Sequence, residues 1–142
     1  MIGKEAEEYD VILALETHDE WTDSAVCARV MEEVNSPRVR VVWDLHHPYR
    51  FNREPPEVTY ANLAPYVVNI HVKDSVVDEN GELHHVLLGE GDVPAKKMLE
   101  MLVKGGYDGY ATLEWEKRWH PEIAEPEIVF PHYVKKMREW FG

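Results

Sequence analysis

Four ionisable side chains stand at the C-terminal ends of apolar runs: Glu16 in LALETH, Asp44 in VVWDLHH, His71 in VNIHVKD and Glu114 in ATLEWE. Brought together, three carboxylates and an imidazole would repel and be poorly solvated, so either their pKa values rise or a cation sits among them. A divalent metal is the simpler resolution. One imidazole with three oxygen donors suits Mn2+, Co2+, Zn2+ or Mg2+ without choosing among them. Singly, each residue has a plainer reading, since an acid ending a strand often caps a turn and a lone histidine often satisfies itself in a core. The functional reading rests on repetition, one such group per run at the equivalent position.

Other residues stand near these four. Lys73 is expected either to hold a substrate oxygen or to neutralise the acidic rim, and Asp74 follows it. His18 and His46 flank two of the four and are expected to orient them. Glu116, two residues beyond Glu114 on the same strand face, is the substitute ligand. Gly89-Glu90-Gly91 permits close backbone approach, to substrate or within a tight turn. Trp21, Trp43, Trp115 and Trp119 offer rings for stacking on a ligand or for packing, and His84-His85, in a polar stretch, is expected to face solvent.

The elements that must position these groups alternate regularly. Asp10 to Glu16 reads as a strand buried on both faces, followed by a helix capped by Asp23 or Ser24 and running to about Val34. Val39 to Leu45 is a second strand, with a short helix from Glu57 to about Ala64. Tyr66 to Val72 is a third, followed by a loop or hairpin turn from Ser75 to Leu83 around Asp78, Asn80 and Gly81. Asp92 is expected to cap a helix from about Val93 to Val103 that ends at Gly105-Gly106. A fourth strand, Tyr110 to Glu114, precedes a final helix over about Pro131 to Phe141. This is an α/β pattern of four βα units in one domain over residues 1–142. It fits either an open doubly wound sheet or part of a closed barrel. In a parallel barrel, the C-terminal strand ends form the rim that carries the active site.

Composition narrows the function classes. The 142 residues hold 27 acidic and 15 basic side chains, a net charge of −12. That charge opposes a phosphate backbone and ranks nucleic acid low as a partner. No apolar run approaches the roughly 20 residues of a membrane-spanning helix, and there is no signal-peptide pattern, so a cytoplasmic protein without a membrane partner is expected. Cys27 has no second cysteine to pair with.

The series L-E-x-H, W-D-x-x-H, I-H-V-K-D, G-E-G-D-V-P and G-Y-D-G-Y-A-T-L-E resembles the C-terminal half of the xylose-isomerase-like TIM barrels. This is the sugar phosphate isomerase/epimerase superfamily that also contains endonuclease IV. The resemblance implies half of a (β/α)8 barrel, with one divalent ion held by Glu16, Asp44, His71 and Glu114. It implies that His47 contacts a small sugar substrate. Glu16 and Glu114 would move a proton off and back onto the carbon next to a carbonyl, by way of an enediolate. Epimerases of the family often carry an arginine shortly after the histidine, where Val76, Val77 and Asp78 stand here. Met1 falls just ahead of the fifth barrel unit, so the open edges are expected to be covered by a second copy, as a homodimer, or by a missing N-terminal half-barrel. The alternatives are a non-catalytic half-barrel whose role is assembly and a nuclease related to endonuclease IV.

Overall fold

A computed structural model describes residues 2–142. In chain order its elements are α1 (Ile2–Glu8), β1 (Leu13–Glu16), α2 (Ser24–Val34), β2 (Val39–Asp44), α3 (His47–Phe51), α4 (Pro56–Leu63), β3 (Val67–Val72), β4 (Asp74–Val77), β5 (Leu83–Val86), α5 (Ala95–Lys104), β6 (Tyr110–Leu113) and α6 (Pro126–Phe141). The four apolar runs pair as one parallel sheet in the order β1-β2-β3-β6, and β4 and β5 form a separate antiparallel hairpin.

Alternation along the strands divides the sheet into two unlike faces. On one face Val41, Trp43, Ile70 and Val72 are at most 1% exposed and pack with Cys27, Met31, Leu63, Met98 and Leu102 from α2, α4 and α5. The opposite face carries Glu16, Asp44 and His71 at its C-terminal end, whereas Ala14, Tyr110 and Thr112 on it are exposed. In a complete barrel that inner face would be lined by the remaining strands. The run at β1 is therefore not buried on both faces: it is an edge strand, and Val11 and Ile12 just before it are 47% and 50% exposed.

Several local signals act as the sequence suggests. Asp23 caps α2, its carboxylate accepting the Ala25 and Val26 N–H groups at 2.9 and 3.2 Å, and Asn35 closes that helix in the left-handed conformation. Asp78 Oδ1 accepts the N–H groups of Asn80 and Glu82, which folds the hairpin turn.

Two helix starts differ. Asp92 does not cap α5, which begins at Ala95 behind Pro94; the Asp92 carboxylate pairs with Arg50 instead. α6 begins at Pro126, not Pro131, because a proline at the first helical position has no N–H to waste, and Pro131 lies within the helix on an exposed turn. Helices α1 and α3 carry no amphipathic period long enough to be seen in sequence.

Candidate metal centre

Parallel register brings the four strand ends to one level. Asp44 stands beside His71 in the β2–β3 ladder, the Thr17 N–H bonds the Val42 carbonyl, and the Glu114 N–H bonds the Val72 carbonyl at 3.0 Å. One ligand atom from each of Glu16, Asp44, His71 and Glu114 lies within 4.8 Å of all the others. His71 Nδ1 is 2.7 Å from Glu16 Oε1 and 3.5 Å from Glu114 Oε2. The quartet read from the sequence is brought together; Glu116, the substitute, stays outside it.

Asp44 is fully buried, and its Oδ1 is satisfied by the His46 and His47 backbone N–H groups at 2.7 and 3.0 Å. Its Oδ2 has no hydrogen bond; Lys73 Nζ is 3.0 Å away, an ion-pair contact without hydrogen-bond alignment. A buried carboxylate oxygen left without a hydrogen bond, among two further carboxylates and an imidazole, fits a divalent cation.

Without an ion, Lys73 and protons carry the compensating charge. The Lys73 ammonium is 1% exposed and contacts Glu114 Oε2 at 2.5 Å and Glu116 Oε1 at 2.8 Å, besides Asp44. Burial would lower its pKa, but Asp44, Glu114 and Glu116 outweigh that and hold it charged. Hydrogen bonds to Glu114 and Glu16 raise the His71 imidazole to about 10, so it is protonated here. Glu16 is lowered, first by its hydrogen bond with His71. Asp44 is pushed up by burial and by Glu114, while Glu114 is held down, the contacts with His71, Asp44 and Lys73 overcoming its own burial. Of these two neighbouring carboxylates, Asp44 is the readier to take up a proton.

Beside the quartet lies a cavity of about 330 Å³ lined by His18, His46, His47, Phe51, His85 and Glu116, among others. His47 Nδ1 is 3.2 Å from the Thr17 carbonyl and donates to it, which leaves Nε2 for a ligand; burial and Lys73 lower its pKa to about 4, so the ring is neutral. His46 Nε2 meets Ser75 Oγ at 2.8 Å, and His18 stacks edge-on against His47.

None of the four tryptophans named above lines this cavity. Trp43 belongs to the helix-side core, Trp115 donates to the Ala124 carbonyl, and Trp119, 70% exposed, lies under Arg118. Asp74 and the glycine turn are structural partners. Both Asp74 oxygens accept backbone N–H groups, from Ser75, Val93, Gly89 and Gly91, and a Cβ at Gly91 would stand 2.1 Å from Asp74 Oδ1. His84 is exposed as expected, but His85 turns inward, is half-buried and lines the cavity, which corrects its reading as a solvent residue. Its neighbour His120 was missed, although its spacing of four from Glu116 was a usable signal.

Four parallel βα units with acid and imidazole groups converging at the C-terminal rim define half of a (β/α)8 barrel. The chain belongs to the xylose isomerase-like TIM barrel family, whose model matches residues 2–138. It is 40% identical over 93 residues to the 3'-dehydrocarminate deglycosidase alpha subunit of a Microbacterium species, covering 65% of this chain and 24% of that one. It is 28% identical over 138 residues to fructoselysine 3-epimerase of Shigella flexneri, covering 94% and 48%. Among solved structures, a xylose isomerase domain protein from Planctomyces limnophilus superposes with a TM-score of 0.75 at 25% identity, covering 96% of this chain and 47% of that one. The chain thus spans less than half the length of these relatives. Among the described residues no helix is long and apolar enough to cross a membrane.

Proposed function

We propose that this chain supplies the metal-binding and acid–base half of a divalent-metal-dependent sugar isomerase or epimerase. The observation that carries the reading is the convergence of Glu16, Asp44, His71 and Glu114 within 4.8 Å, in a family with sugar epimerases among its members. A bound Mn2+, Co2+, Zn2+ or Mg2+ ion would polarise the substrate's carbonyl and neighbouring hydroxyl and stabilise the negative charge that develops there.

The chain's own residues do the rest. One of Glu16 and Glu114 takes the proton from the carbon beside the carbonyl, giving an enediolate, and the other returns a proton to the opposite face. His47, neutral and with Nε2 free, holds a substrate oxygen. Lys73 keeps Glu114 ionised and therefore competent as a base. The open inner face and the two edge strands call for strands from a second copy or from an N-terminal half-barrel to complete the substrate site.

The test is proton exchange. In D2O with a divalent metal, NMR should show loss of the proton next to the carbonyl of a ketose such as fructose or allulose, and Glu16→Gln and Glu114→Gln should each abolish it. No exchange with any of the four metals, in the chain alone or with its barrel completed, would leave the assembly reading standing. A deglycosidase subunit is the second reading, favoured by the 40% identity to such a subunit; glycoside cleavage without an epimeric product would select it.

A further inference from the structure

Outside the quartet a second group of metal-ligating side chains closes on itself. We propose that His85, Glu116 and His120 form a second divalent-cation site of the zinc class, with an open coordination position facing the cavity. One ligand atom from each lies within 4.8 Å of the other two.

Two elements build it. The Trp119 and His120 N–H groups both bond the Glu116 carbonyl at 2.9 Å, so residues 116–120 make one helical turn. That turn sets Glu116 and His120 on the same side. His85 reaches in from β5, its ring centroid 4.9 Å from that of His120.

Two of the three ligands are also oriented from outside. His120 Nδ1 is 3.3 Å from Glu122 Oε1, while its Nε2 faces Glu116 Oε2 at 3.9 Å. A carboxylate on one imidazole nitrogen and a metal on the other is how histidine ligands are commonly aimed. Glu116 divides its oxygens similarly: Oε1 takes Lys73 at 2.8 Å, and Oε2 is left toward His120. Ligand atoms around zinc stand roughly 3.3 Å apart, from bond lengths near 2.0–2.2 Å, so binding draws ligand atoms that now lie within 4.8 Å of one another closer by no more than about 1.5 Å.

Two imidazoles and one carboxylate favour Zn2+ or Co2+ over Mg2+. Three protein ligands leave a position for water or a substrate oxygen. His85 and Glu116 line the cavity that also holds His46 and His47, so that position opens where the substrate would lie. Lys73, which bonds Glu114 on one side and Glu116 on the other, sets a positive charge between the two centres. This site stands independently of the proposed reaction.

The experiment is zinc stoichiometry by equilibrium dialysis and mass spectrometry on EDTA-stripped protein, with circular dichroism to confirm the fold. It is run in the wild type and in a Glu16→Gln/His71→Ala background that disables the quartet. Expected is one zinc equivalent in that background, lost on adding either His85→Ala or His120→Ala, and a Co2+ visible spectrum that disappears with it. His120 is 39% exposed in its side chain, so its truncation leaves packing intact. Zinc content unchanged by both substitutions, or no zinc bound in the quartet-disabled background at micromolar concentrations, would overturn the proposal.

Discussion

Replacing Lys73 with methionine keeps the apolar stem and removes the ammonium that Asp44, Glu114 and Glu116 share. Breaking a buried ion pair from one side costs about 3–5 kcal/mol, because the remaining charge stays desolvated. Lys73 is 1% and Asp44 0% exposed in their side chains, but Glu114 is 30% and Glu116 24% exposed, so water screens part of the effect. The expected loss is therefore at the lower end, about 3 kcal/mol in metal-free protein near pH 7.5, or roughly 10 °C in Tm for a chain of this size. Without the ammonium, Asp44, Glu114 and Glu116 all titrate higher in the folded state than they do in the wild type. A raised folded pKa favours the folded state at low pH and loses that contribution as pH rises, so the deficit is largest at neutral pH and shrinks toward pH 5. Thermal denaturation of Lys73→Met and wild type in EDTA at both pH values measures this. A deficit below 1 kcal/mol at pH 7.5, or one unchanged at pH 5, refutes the view of Lys73 as the counter-charge of the acidic rim.

Four further outcomes are expected. Asp74→Asn turns an amide toward backbone N–H groups that now meet carboxylate oxygens, and should cost about 2–4 kcal/mol in urea unfolding with activity assays unnecessary to see it. Cys27 is fully buried and its thiol is pushed up to about 11, chiefly by burial, so it should react with a thiol reagent at pH 8 only at the rate of unfolding. Divalent metal should raise Tm in wild type and far less in Asp44→Asn. Light scattering should show concentration-dependent self-association through the exposed inner face and edges, whereas a strict monomer at high concentration would count against pairing with a second copy.

Strand ends were legible because a parallel sheet covered by helices needs apolar runs, and each run stops where an ionisable residue enters. Asp23 and Asp78 were legible because a short acid before a helix or in a tight turn bonds nearby backbone, a contact local in sequence. Asp92 misled because its carboxylate is used by Arg50, a partner far away in the chain. The open face of β1 was missed because an apolar run looks the same whether one or both sides are covered. The tryptophans were ambiguous for a related reason: an aromatic ring near a strand end serves a core as well as a ligand, and only the facing direction separates the two.

By itself the sequence determined the four βα units and the identity of the quartet, since strand period and residue type are local properties. Tertiary structure alone decided that Lys73 lies beneath three carboxylates, that His85 turns inward to meet Glu116 and His120, and that Asp44 Oδ2 lacks a hydrogen bond. Those depend on which strands and loops become neighbours in space, and distances between residues remote in sequence are set by register and packing.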